Sequence, residues 1–144
     1  MAYQERNAWS SLIASLGGIV VYAVLISTQV SSTPVELIDW FWPMLWTIAG
    51  SIVGAVVLSI FLGILANARD RGSANVSDVR DRDIARTGDR VGQAFLVLGG
   101  LAALLLCAAE ADWFWIGNAV YLGFALSAVL GGLTRVIVYR RGMA

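Results

Sequence analysis

The residues best suited to chemistry in this chain are carboxylates, arginines and tryptophans, gathered mainly in two places. The first is a tetrapeptide spelled twice, Asp39-Trp40-Phe41-Trp42 and Asp112-Trp113-Phe114-Trp115. A carboxylate beside indole faces can hold a cation, by charge and by the ring quadrupole. With Trp46, five of the six Trp lie in or just after the motifs, so this rim has the makings of a clasp for a cation or an amphipathic ligand. The same residues have a plainer use, and it is the expected one. An Asp ahead of a helix caps free N–H groups and complements the dipole, and Trp rings settle at a membrane interface. Upstream, Thr33-Pro34-Val35-Glu36 reads as a capping box, so a short interfacial helix is expected from Pro34 into the following span, bent near its start by Pro43.

The second place is the only strongly polar stretch, residues 67–90, with Asp78, Arg80, Asp81, Arg82, Asp83 and Arg86 at its centre. Ser77 is placed to cap a helix in which Asp78–Arg82 and Asp83–Arg86 pair at helical spacing. Gly88 is expected to weaken the junction with the apolar segment beyond. The charges nearly cancel. The segment reads as a solvated, internally paired helix or as a docking surface for a cytoplasmic partner. A metal site at Asp78, Asp81 and Asp83 lacks the glycine and terminal glutamate of a calcium loop.

Other chemistries lack their residues. Without His there is no bis-His haem, no Ser-His hydrolysis and no His-based metal site. Cys107 is alone, so no internal disulfide or CxxC pair forms. A glycine-rich phosphate loop is missing as well. No catalytic residue, cofactor, metal or nucleic-acid partner is expected, and the chain is not expected to be an enzyme.

The elements that position these residues are apolar. The chain of 144 residues is 58% hydrophobic and 14% charged. Runs at about 8–28, 41–66, 91–109 and 113–138 are each long enough to cross a bilayer as a helix. Apart from Arg135, near the end of the fourth, none carries a charge. One central charge costs about 2.5–3.5 kcal/mol, as much as about six good apolar residues contribute. The first run is too long for a signal peptide, and no A-x-A site follows it.

Orientation follows from arginine. All ten basic residues are Arg, and they lie before the first span, between the second and third, or at the end of the fourth. The other two connections hold Glu36, Asp39, Glu110 and Asp112 and no basic residue. The positive-inside rule places both termini and the middle segment in the cytoplasm. Arg without Lys suggests a GC-rich bacterial genome, and so a bacterial cytoplasmic (inner) membrane.

Aligned on the tetrapeptides, the halves fall into register. Gly50 and Gly54 correspond to Gly123 and Ser127, and Leu16-Gly17-Gly18-Ile19 resembles Leu98-Gly99-Gly100-Leu101. The expected fold is all-α: four transmembrane helices as two tandem hairpins related by a pseudo-two-fold axis along the membrane normal. Small residues recur every fourth position on the two longer helices, at Ser51, Ala55, Ser59 and Gly63, with Gly50 and Gly54 running beside them, and at Ala119, Gly123, Ser127 and Gly131. Such stripes let backbones approach closely. They could join helices within one subunit or join subunits as a homodimer.

The segments Asp78-Val79-Arg80-Asp81-Arg82-Asp83-Ile84 with Gly88-Asp89-Arg90-Val91-Gly92, the stretch from Phe114 to Ser127, and Tyr3-Gln4-Glu5-Arg6-Asn7-Ala8-Trp9 together resemble a broad family of small uncharacterised bacterial four-span membrane proteins, often encoded beside a helix-turn-helix regulator. Val79 departs from the Glu usual at that point of the family motif. The resemblance implies a four-span fold and, through its regulator-linked setting, sensing or stress response. Three functions are therefore expected, in this order. The first is a non-enzymatic accessory, scaffold or regulatory subunit in the lipid bilayer, assembling as a dimer or within a larger membrane complex. The others are a small carrier or channel for an apolar or amphipathic solute, and an envelope-stress sensor signalling through the Arg/Asp segment.

Overall fold

A computed structural model of the chain describes the backbone of residues 3–69 and 79–141, and the side chains of 5–65 and 81–140. Four long helices account for nearly all of it: α1 (Tyr3–Val30), α2 (Phe41–Arg69), α3 (Val79–Ala108) and α4 (Trp113–Arg141). Each is long and apolar enough to cross a membrane, and no strand occurs among the described residues. The helices exceed the apolar runs because a helix continues into water wherever its side chains allow.

That continuation is clearest in α3, which starts at Val79, twelve residues before its apolar run. The expected separate loop helix is instead the first three turns of α3, and Gly88 makes no break. Gly88 is buried, and a Cβ there would lie 2.5 Å from Arg135 Cγ and 2.8 Å from the Gly131 carbonyl. The glycine serves close packing on α4.

The two acidic connections are built differently. Between α3 and α4 the chain turns at once. Ala111 N–H donates to the Leu106 carbonyl and Glu110 N–H to that of Cys107, with Glu110 in the left-handed region at φ 53°. This is the Schellman arrangement, here with Glu where Gly is usual. Asp112 then caps α4, accepting the Phe114 N–H at 2.8 Å. Between α1 and α2 the expected capping box does not form. Val35–Leu37 makes a single 3-10 turn with no side-chain cap, and Ile38 is extended. Pro43 falls in the first turn of α2, where its missing N–H removes no helical bond.

α1 packs on α2, α4 on α1, and α3 on α4, while α2 and α3 share no comparable contact. The order of main packing is thus α2–α1–α4–α3. Within each hairpin the helices are antiparallel: Gly18 lies against Ser51, Gly99 against Gly123 and Gly88 against Gly131. An exact two-fold axis would match the α1–α4 contact with an α2–α3 contact. The symmetry expected from the repeat therefore does not extend to the interface between hairpins.

That interface has an apolar end and a polar end. Ala8, Leu12 and Val136 form a buried cluster flanked by Trp9 and Val129, and the Arg140 guanidinium lies 5.4 Å from the Trp9 ring centre. Toward the Trp-rich end, the Tyr22 hydroxyl donates to Asn118 Oδ1 at 2.8 Å, and Tyr22 stacks at a tilt on Tyr121 with centroids 4.4 Å apart. Asn118 in turn donates to the Phe114 carbonyl. In a bilayer such groups find no water, so the pairing fixes the register of α1 against α4.

Candidate functional site: an open groove between α1 and α2

The site follows from how the two hairpins use the same glycines. In the second, α3 and α4 close on Gly99 and Gly123, where an added Cβ would lie 2.6 and 2.8 Å from the facing Cα. Gly92 against Ser127 and Gly88 against Gly131 continue the seam. The α4 stripe is therefore filled by α3 of the same chain. Its partner stripe, Gly88, Gly92 and Gly99, was present in the sequence as a Gly-xxx-Gly pair followed by a glycine seven residues on, a signal hidden by the charged residues around Gly88.

In the first hairpin the corresponding glycines are not used this way. Gly17 and Gly50 occupy the places of Gly99 and Gly123, yet a Cβ on either would meet nothing within 4 Å. The contact is made one residue later on both helices: a Cβ on Gly18 would overlap Ser51 Oγ and come 3.2 Å from the Thr47 carbonyl. One residue is about 100° around an α-helix. The rotation swings Gly17, Gly50 and Gly54 out of the seam and leaves them as the floor of an open groove. Two residues account for the difference. Ser51 packs against Gly18, where a side chain would overlap it, and Asn7 accepts the Ser59 hydroxyl at 3.0 Å near the other end of the hairpin.

The groove has a volume of about 630 Å³ and is walled by Val21, Leu25, Trp42 and Trp46, with Asp39 at one end. Its hydroxyls are already committed: Thr47 donates to the Pro43 and Met44 carbonyls at 2.9 Å, and Ser51 to the Thr47 carbonyl at 2.7 Å. Asp39 is exposed, and only its backbone carbonyl is engaged, by the Gln29 amide at 3.4 Å. Unlike Asp112, its carboxylate caps nothing.

The other candidate residues are placed as follows. The outer rim does not form one clasp. Trp113 and Trp115 are exposed on α4, whereas the Trp40 ring covers Gly117 of α4, where a Cβ would lie 2.5 Å from the indole. Trp40 thus bridges the hairpins and leaves Trp42 and Trp46 to the groove. On α2, Gly63 also faces open space. In the charged segment, Arg86 pairs with Asp83 at 3.7 Å and Arg82 is exposed. Asp81 accepts the Tyr139 hydroxyl at 3.0 Å, and Asp89 pairs with Arg135. These last two contacts pin α3 to α4. Asp78 and the Arg80 side chain lie outside the described residues, so the Asp78–Arg82 pair and the Ser77 cap do too. No three carboxylate or thiol groups converge as a metal site among the described residues.

The groove can take an elongated apolar group against its glycines and a polar group at its acidic end. Comparison with protein-family models, with curated proteins and with solved structures finds no match for this chain.

Proposed function

We propose that this chain is a non-enzymatic integral protein of a bacterial cytoplasmic membrane that works by binding an amphipathic solute in the α1–α2 groove, as a carrier or as the sensing part of a regulatory system. Both termini and the charged segment face the cytoplasm, because every Arg lies at that end. One observation carries the reading. A Cβ added to Gly50 or Gly54 would meet nothing within 4 Å beyond its own helix backbone, although their counterparts Gly123 and Ser127 are closed against α3. A volume of about 630 Å³ is within the range of small-molecule sites.

A second reading, an accessory or scaffold subunit that pairs with a copy of itself or a membrane partner, is favoured by Gly63, which lies outside the groove and is also open. Close approach at small residues is the usual way membrane helices associate. Native mass spectrometry of gently extracted protein separates the two. A monomer retaining a defined small molecule supports solute binding. A dimer or stoichiometric complex that retains none and dissociates on Gly63→Leu supports assembly and removes the first reading.

A further inference from the structure

We propose that the groove selects a single-chain amphiphilic cation, an alkylamine or quaternary alkylammonium, with Asp39 holding the head and the α1–α2 glycines receiving the tail. The inference rests on the solute-binding reading and names its ligand class. The lining runs from Ala14 to Leu25 on α1 and from Trp42 to Gly54 on α2, about 16–18 Å by helical rise. That is about half of the ~30 Å apolar thickness of a bilayer, the depth of one leaflet. With the Thr47 and Ser51 hydroxyl protons already donated to their own helix and the remaining lining residues of the interior apolar, the interior suits an alkyl chain.

Selection by charge comes from the open end. Among the described residues, Asp39 is the only charged one lining the groove, and its carboxylate has no hydrogen bond or ion pair. Trp42 and Trp46, one helical turn apart, are 57% and 72% exposed and offer ring faces to a cation. No basic residue occurs in either connection at this end of the molecule. An anionic phospholipid would bring net negative charge toward Asp39 and Glu36, and a zwitterionic one a phosphate for which neither connection supplies a basic residue. A second copy in the same orientation would set Asp39 and Glu36 near their own duplicates. A head bearing net positive charge and no phosphate is the occupant this charge pattern complements.

The test uses the full chain in a neutral maltoside detergent and equilibrium binding of labelled dodecyltrimethylammonium. Competitors are dodecylphosphocholine (zwitterionic, same tail), a dodecyl alcohol (neutral) and tetramethylammonium (head alone). The expected result is saturable binding of about one cation per chain, weakened about tenfold by Asp39→Asn and abolished by Gly50→Leu, which fills the groove. The thermal midpoint should match the parent for Asp39→Asn, since Asp39 is exposed and unpaired, and should be equal to or above the parent for Gly50→Leu, since Gly50 faces open space and Leu is the better helix former. Equal binding of dodecyl alcohol and the cation, with Asp39→Asn silent and Gly50→Leu abolishing both, overturns the cation inference and leaves the groove reading standing. Dodecylphosphocholine competing as well as the cation overturns the inference in favour of a phospholipid. Absence of binding by any probe overturns both, as does a dimer lost on Gly50→Leu.

Discussion

Substituting Gly99 and Gly50 by Ala should move stability in opposite directions, although the sequence repeat makes both glycines parts of one motif. At Gly99 the new methyl would lie 2.6 Å from the Gly123 Cα. Carbon atoms prefer about 3.5–4.0 Å, so α3 must retreat from α4 by about 1 Å. A gap of that size forfeits about a quarter to a half of the dispersion energy of each contact along the seam. Gly92–Ser127 and Gly88–Gly131 lie on the same pair of helices and loosen with it. Overpacking of this kind costs about 1–3 kcal/mol. Against it stands a gain of about 1 kcal/mol in helix propensity, for a net loss of about 0–2 kcal/mol. At Gly50 there is no contact to lose and only the propensity gain of about 1 kcal/mol remains. Reversible unfolding in mixed micelles, followed by far-ultraviolet circular dichroism, measures both. The two variants should be separated by about 1–3 kcal/mol. Equal effects would refute the rotated seam, and a loss at Gly50 would show that its face is covered.

Asp112→Ala should cost about 1 kcal/mol through loss of the α4 cap, while Asp39→Ala leaves the unfolding midpoint unchanged; the same assay compares them. Tyr22→Phe should cost about 0.6 kcal/mol, the typical worth of a hydrogen bond between membrane helices, and Asn118→Ala on the Tyr22→Phe background should add less than it does alone. Glu110→Gly should stabilise the α3–α4 turn by about 1 kcal/mol by relieving the left-handed residue. Gly117→Leu should expel the Trp40 ring from α4; a red-shifted indole emission that persists in a Trp40→Phe background would argue against that assignment.

Much of the fold is written in the chain at a scale that periodicity can read. Uncharged runs longer than 18 residues leave little choice but to be helices in lipid. The pairing of α3 with α4 follows from a connection too short for anything else. Asp112 behaves as its position ahead of a helix suggests. Asp39, in the same tetrapeptide, does not, and nothing within the tetrapeptide distinguishes the two. The difference comes from Val35–Leu37 and extended Ile38, which bring the chain into α2 along a different path. The groove was equally illegible. Small-residue spacing says that a helix face is narrow, but a rotation of about 100° decides whether that face meets a neighbour or stays open. Here the seam uses Ser51, on one of the two adjoining small-residue rows of α2, against Gly18, and leaves the row of Gly50 and Gly54 open; spacing alone does not choose between the rows.

The order α2–α1–α4–α3 also has a consequence in time. The two central helices are the earliest and the latest of the four in chain order, so during synthesis the first hairpin enters the membrane with its inner surface uncovered. The Tyr22 hydroxyl then has no Asn118 to receive it, and Leu12 no Val136 beside it. An unpaired hydroxyl in hydrocarbon is costly, which makes the early hairpin a natural client for a membrane insertase or for water drawn into the bilayer. Release from that state comes only when α4 arrives, so a ribosome stalled before α4 would leave a hairpin that is inserted, correctly oriented and still recognisable to quality control as unfinished.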